Sequence, residues 1–173
     1  MPEFLMLTQT PLWEAALRLV LAALLAFSVG FERYVKDKPL DVRPFMMVSV
    51  GACLAVIATM ELAATVNTEL PVSVDPAKVF NGIITGIGFL GAGAMFRADG
   101  AVNGAATAAS VWVMGAVGIC CGMGLYGLAL LGALSALGVL LLLGPLAAQT
   151  KDGMDEVEDS VARQRNNHHD EEP

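Results

Sequence analysis

The residues with chemical capacity in this chain are few and sit among apolar neighbours. Glu14 and Arg18 are four apart, so a helix would place them on one face. Glu61 stands alone in a long apolar run, and Asn81 and Thr85 again share a helical stripe. Two carboxylates with neutral oxygen donors are what a hard divalent cation such as Mg²⁺ takes, usually with some of its water retained. Glu14, Glu61, Asn81 and Thr85 are therefore the candidate metal ligands. A plainer reading stands beside it: Glu14 and Arg18 form an internal ion pair, and Glu61 reaches the membrane surface.

A second polar set comprises Glu32, Arg33 and Arg43, then Arg97 and Asp99, then Thr107 and Ser110. Its charged members suit interfacial anchoring, and the two hydroxyls suit bonds to their own helix backbone. Other chemistries find less support. No Ser/His/Asp, Cys/His or metal-protease spacing occurs in the apolar part, and His168 and His169 lie in the charged C-terminal stretch, so no catalytic residue is expected. Paired intramembrane aspartates are not expected either, because Asp41, Asp75 and Asp99 fall outside the apolar runs. Cys53, Cys120 and Cys121 lack a metal-ligand spacing and read as small packing residues. Gly86 to Gly91 spells GxGxxG, but within an apolar run and not after a soluble strand, so a dinucleotide site is excluded by context.

The elements that position these residues follow from composition. Of 173 residues 55% are hydrophobic, and mean hydropathy is +0.63, too apolar for a soluble domain that must cover its surface with polar groups. Most charges fall in Glu32–Arg43 and after Gln149, with long apolar blocks between them. The fold expected is all-α, a polytopic bundle of about five transmembrane helices. The spans run roughly over 12–31, 45–64, 79–96, 104–125 and 126–146. Pro71 and Pro76 break the second connection, Arg97-Ala98-Asp99-Gly100 makes a tight turn, and the glycines of GMGLYG turn the chain into the last span.

Residues 1–147 thus form a membrane domain, and 148–173 an acidic tail too polar to fold alone, expected to be disordered and cytoplasmic. Lys and Arg cluster in the first connection and recur as Arg97 in the third and in the tail, which predicts an inner-membrane protein with its N-terminus outside and its C-terminus in the cytoplasm. That orientation brings Glu14, Arg18, Glu61, Asn81 and Thr85 to one depth, in the outer half. The net charge of −7 and the lack of a basic stripe argue against nucleic acid as a partner. Trp13 and Tyr126 fall at interfaces, whereas Trp112 lies deeper and is expected to face protein.

The glycines add a packing pattern. Gly82, Gly86, Gly88, Gly91 and Gly93 are too many for a lipid-facing helix. Gly82-xxx-Gly86 and Gly118-xxx-Gly122 are close-approach motifs, suited to a homodimer and equally to contacts within one protomer. The Leu-rich, uncharged fifth span reads as a peripheral, lipid-facing helix.

The block GIGFLGAGAMFR followed by the Thr-Ala-Ala and Trp helix resembles the membrane domain of the MgtC/SapB family. The residues that carry the likeness are Gly86, Gly88, Phe89, Leu90, Gly91, Ala92, Gly93, Thr107, Ala108, Ala109 and Trp112, with Arg18, Gly30 and Glu32-Arg33 upstream. The likeness extends roughly over Leu12 to Leu146. The chain departs from it at Arg43-Pro44-Phe45, where the family often has Arg-Thr-His, and at Gly104-Ala105-Ala106-Thr107, where it often has Gly-Leu-Thr-Thr. Many members carry a folded cytoplasmic C-terminal domain, and the acidic tail here resembles a short form without it. The resemblance implies a bacterial protein of magnesium homeostasis, a sensor or regulator of a membrane partner such as the ATP synthase. Two alternatives stand beside it: a Mg²⁺ transporter or channel, with Glu14, Glu61, Asn81 and Thr85 as its outer site, and a structural assembly module. Mg²⁺ enters as ligand or substrate, with no resident cofactor expected.

Overall fold

The computed structural model describes residues 9–36, 41–69, 74–98 and 101–144. Along the chain run α1 (Leu12–Val35), α2 (Val42–Glu69), α3 (Pro76–Gly93), β1 (Phe96–Ala98), β2 (Ala101–Asn103), α4 (Ala105–Gly122) and α5 (Tyr126–Gly144). Packing is described for the unit Met1–Leu137; of the second unit, Gly138–Pro173, the described part is the end of α5. The tail at 148–173 and its His168 and His169 lie outside the described residues.

Among the described residues, four helices are long and apolar enough to cross a membrane: α1, α2 over Val42–Ala64, α4 and α5. The expected third span, α3, is not one of them. Its 18 residues include five glycines, Lys78 and Asn81, which dilute its apolar content. It also starts earlier than the hydropathy pattern suggests. Pro76 opens the first turn, where its missing N–H leaves no partner unsatisfied, and the Asp75 side chain accepts from the N–H of Ala77 at 3.0 Å. Helix α2 continues to Glu69, well into the expected polar connection.

A second difference is that short strands flank the expected turn, an antiparallel pair with Phe96 opposite Asn103, Arg97 opposite Val102 and Ala98 opposite Ala101. Asp99 and Gly100, between the strands, lie outside the described residues. Asp-Gly is a favoured two-residue hairpin sequence, a signal the hydropathy reading passes over. The architecture is a helical bundle with this one hairpin.

The helices pack by small residues and present large ones outward. On α1, Ala15, Ala22, Ala26 and Val29 are buried, while Leu17, Val20, Leu24, Phe27 and Phe31 are exposed. That arrangement suits hydrocarbon, where close backbone approach and not apolar burial holds helices together. Helix α4 is central, with Met114, Val117, Gly118 and Cys121 buried, and α5 exposes Leu128, Leu130, Leu131 and Leu134. α5 is thus peripheral, as its uniform leucines suggest. Trp112 differs from expectation: it is 43% exposed and so only partly covered by the rest of this chain.

The closest approach is between α4 and α2. A Cβ added at Gly118 would lie 2.2 Å from the Ser49 carbonyl oxygen, and one at Gly122 would lie 2.7 Å from the Cys53 oxygen. Both pairs step by four residues in the same direction, so α2 and α4 run parallel. Helix α3 and the hairpin carry the chain back between them. On its return α3 inserts Ile87 into the notch of Gly115, where an added Cβ would sit 2.1 Å from the Ile87 Cδ1, and lays Gly91 against the Ala108 carbonyl.

Candidate functional site

Two polar clusters stand at opposite ends of α1. At the N-terminal end, Arg18 Nη2 donates to Glu14 Oε1 at 2.6 Å, and Nη1 donates to the Gly122 carbonyl oxygen at 2.6 Å. That oxygen belongs to the last residue of α4, where helical carbonyls have no partner of their own and the helix dipole favours a cation. Arg18 therefore caps α4 from a different helix, and Glu14 holds the guanidinium in place. The chain leaves this point through Gly124, whose φ of +76° suits glycine, and a Cβ there would come within 3.1 Å of Arg18 Nη2. The turning role expected of GMGLYG is met at this residue.

Glu61, near the end of the apolar part of α2, accepts the backbone N–H of Thr10 at 2.8 Å on Oε1, and that of Gln9 at 3.2 and 3.1 Å on its two oxygens. The carboxylate ties down the chain just ahead of α1, giving partners to N–H groups that lie outside any helix. Asn81 and Thr85 are exposed on α3. Of the four expected metal ligands, Glu14 is held by Arg18 and Glu61 by backbone, and neither of the other two takes part in these bonds. Among the described residues, no group of three or more His, Cys, Asp or Glu is arranged to hold a metal ion.

At the opposite end, Glu32 and Arg33 are both buried, and they bond each other twice: Arg33 Nε to Glu32 Oε2 at 2.5 Å and Nη2 to Oε1 at 2.9 Å. Lys36 Nζ adds a contact to Glu32 Oε1 at 2.8 Å. A fork on a carboxylate with a second cation satisfies the buried charge in its immediate surroundings. Lys36 is a member that sequence reasoning missed, although its i,i+4 spacing from Glu32 is the signal for it. Nearby in sequence, Gly30 approaches Phe45 and Val42, so α1 and α2 close tightly here.

Just ahead of α2, Asp41 receives Arg43 Nε at 2.6 Å and the Val42 N–H at 2.6 Å. The Arg43 guanidinium, helped by that N–H, holds the Asp41 carboxyl below the usual carboxylate range. Arg43 itself is 87% exposed, as an interfacial anchor is. Thr107 and Ser110 are buried, and Ser110 bonds the Ala106 carbonyl of its own helix at 2.7 Å, the local back-bond expected of it. Arg97 sits mid-strand in β1.

The residues that carried the family likeness divide by environment. Gly91, Thr107 and Ala108 are buried where α3 meets α4 or within α4 itself, while Gly86, Gly88, Phe89, Leu90, Ala92, Gly93, Ala109 and Trp112 are exposed. Residues 19–149 match the MgtC family. The chain belongs to the MgtC family. Curated relatives agree with that placement. Protein MgtC of Brucella abortus is 35% identical over 136 residues, 79% of this chain and 54% of its own length. The Escherichia coli protein named "Putative magnesium transporter YhiD" is 33% identical over 127 residues, 73% of this chain and 59% of its own. Protein SapB of Bacillus subtilis is 30% identical over 114 residues, 65% of this chain and 49% of its own. The chain thus spans about half to three-fifths of the length of these relatives. No solved structure is significantly similar to it. As a member of the MgtC family it is a multi-pass membrane protein, and the family match takes in the α3–α4 segment that drew the likeness together with α2, α5 and most of α1.

Proposed function

We propose that this MgtC-family chain acts in magnesium homeostasis of the bacterial inner membrane, as a sensor or regulator of another membrane complex, with no enzymatic step of its own. The proposed orientation is N-terminus outside and C-terminus in the cytoplasm, on the distribution of Lys and Arg. One observation carries the regulatory reading. Each carboxylate inside the apolar stretches of α1 and α2 is already held by protein: Glu14 by Arg18, Glu32 by Arg33 and Lys36, and Glu61 by the N–H groups of Gln9 and Thr10. A conduit for Mg²⁺ works by exchanging water for weakly committed oxygens along its path. Carboxylates committed to capping and pairing instead hold a shape that a partner can read. The ATP synthase, which the family resemblance names, is a partner of the kind this reading requires.

The second reading, a Mg²⁺ transporter, is favoured by the name of YhiD. Entry of Mg²⁺ into liposomes holding the purified full chain, followed with a trapped dye, separates the two. The regulatory reading expects no saturable entry under an imposed gradient and potential. Saturable entry that Glu61→Gln abolishes would establish transport and locate its site at the Glu61 end.

A further inference from the structure

The two glycine motifs of this chain have different fates. On α4, Gly118 and Gly122 are closed by the α2 backbone, and Gly115 by Ile87. On α3, a Cβ added at Gly82, Gly86, Gly88 or Gly93 would meet nothing within 4 Å, and the same holds at Gly51 of α2. Of these, Gly51, Gly82 and Gly86 floor a groove of about 470 Å³ between α2 and α3, with Met47, Ile83 and Leu90 among its walls. Beside the groove, Asn81, Thr85 and Phe89 follow one another at every fourth position, a single stripe next to Gly82 and Gly86. Asn81 and Thr85 are exposed, and the Phe89 ring is 81% exposed, the most exposed large apolar side chain among the described residues.

We propose that this face of α3, with the groove it forms against α2, is where a second copy of the chain docks. Three features select a second copy as the occupant. The same surface carries both the hole (the glycine floor) and the knob (Phe89), which is what a two-fold, isologous interface requires. Asn81 and Thr85 would face hydrocarbon unpaired in a lone protomer, whereas an amide is donor and acceptor at once, so two Asn81 side chains across a two-fold axis satisfy each other. Finally, the α4 motif is closed within the protomer, whereas the α3 glycines are open and can admit the backbone of a second copy. This inference does not depend on the regulatory or transport reading.

The test is Förster transfer between donor- and acceptor-labelled full chains in liposomes at graded protein density. Association of the unmodified chain is expected. Gly86→Leu puts a bulky side chain into the groove from a position where an added Cβ meets nothing within 4 Å, and Asn81→Ala removes the self-pairing amide; each is expected to weaken association roughly tenfold, about the scale of one close helix–helix contact. The thermal midpoint in detergent should stay unchanged for both, and Trp112→Ala, on an exposed face of α4, should leave association intact. Disulfide crosslinks between copies are expected from Cys introduced at Thr85 or Phe89. The proposal is overturned by a chain that stays monomeric at every density, as lipid or another protein filling the groove would leave it. It is equally overturned if the dimer ignores both Gly86→Leu and Asn81→Ala, or if copies crosslink only through Trp112 or Leu131.

Discussion

Arg18 is the residue on which the most structure converges, since one guanidinium joins Glu14 of its own helix to the end of α4. Charge-assisted bonds of this kind contribute about 1.5–3 kcal/mol each when a partner is deleted. Arg18→Ala should therefore lower the unfolding midpoint in detergent by more than Glu14→Gln does. Glu14→Gln keeps the Gly122 bond and loses only the pair. Arg18→Lys should recover part of the loss, because an ammonium reaches one acceptor where the fork reaches two. Asp41 gives a second test at this scale. Its folded-state ionisation is depressed, so its contribution to stability is present above the ordinary carboxylate range and fades as pH falls through the lowered value. An NMR titration of the Asp41 carboxyl should show that lowered midpoint, and Arg43→Ala should return it toward the ordinary value. The sequence displays Glu14–Arg18 because helical spacing alone brings them together. It hides the partners of Glu61, which lie 51 and 52 positions away and are backbone N–H groups that carry no side-chain signature.

At the scale of elements, the close approach of α2 and α4 makes a sharp contrast between glycines of identical appearance. Gly118→Ala places a methyl group 2.2 Å from a backbone oxygen that cannot rotate away, so the helices must separate. Overpacking of this kind costs about 1–3 kcal/mol, and a rigid backbone contact belongs at the upper end. Gly82→Ala, on an open face, should instead be neutral or slightly stabilising in the isolated protomer, because Ala is the better helix former. Thermal scans of the two variants side by side in detergent check the pair. Gly104 should behave like Gly118 for a different reason: its φ is +84° and a Cβ would sit 2.5 Å from the Ala94 oxygen, so Gly104→Ala should loosen the start of α4. Periodicity and composition disclose that these helices pack closely. They do not disclose which glycine finds a neighbour, since that depends on how α2, α3 and α4 are placed around one another. The hairpin was legible in Asp99-Gly100, but three-residue strands are too short to register in a hydropathy pattern.

For the whole molecule, the decisive question is whether α3 crosses the membrane. By length and composition it falls outside the four candidate spans, which taken alone would return both ends of the bundle to the same side. The packing of its neighbours points the other way. α2 and α4 run parallel in backbone contact from Ser49–Gly118 to Cys53–Gly122, so the chain has to travel back the full depth of the bundle between them. The 18 residues of α3 supply about 27 Å at 1.5 Å per residue, close to the ~30 Å hydrocarbon core, and the hairpin extends that reach. Its glycines and polar residues are tolerable in that setting where Ile87 and Gly91 are sheltered by α4. We therefore predict that α3 spans and that the two ends of the chain lie on opposite faces. A fluorescent reporter that folds only in the cytoplasm should light up after the C-terminus, and an alkaline phosphatase active only outside should work when joined ahead of α1. Reporters active on one common side would mean that α3 turns back within the bilayer. In that case the parallel pairing of α2 and α4 could not hold, because two neighbouring spans joined by a non-crossing segment must run antiparallel.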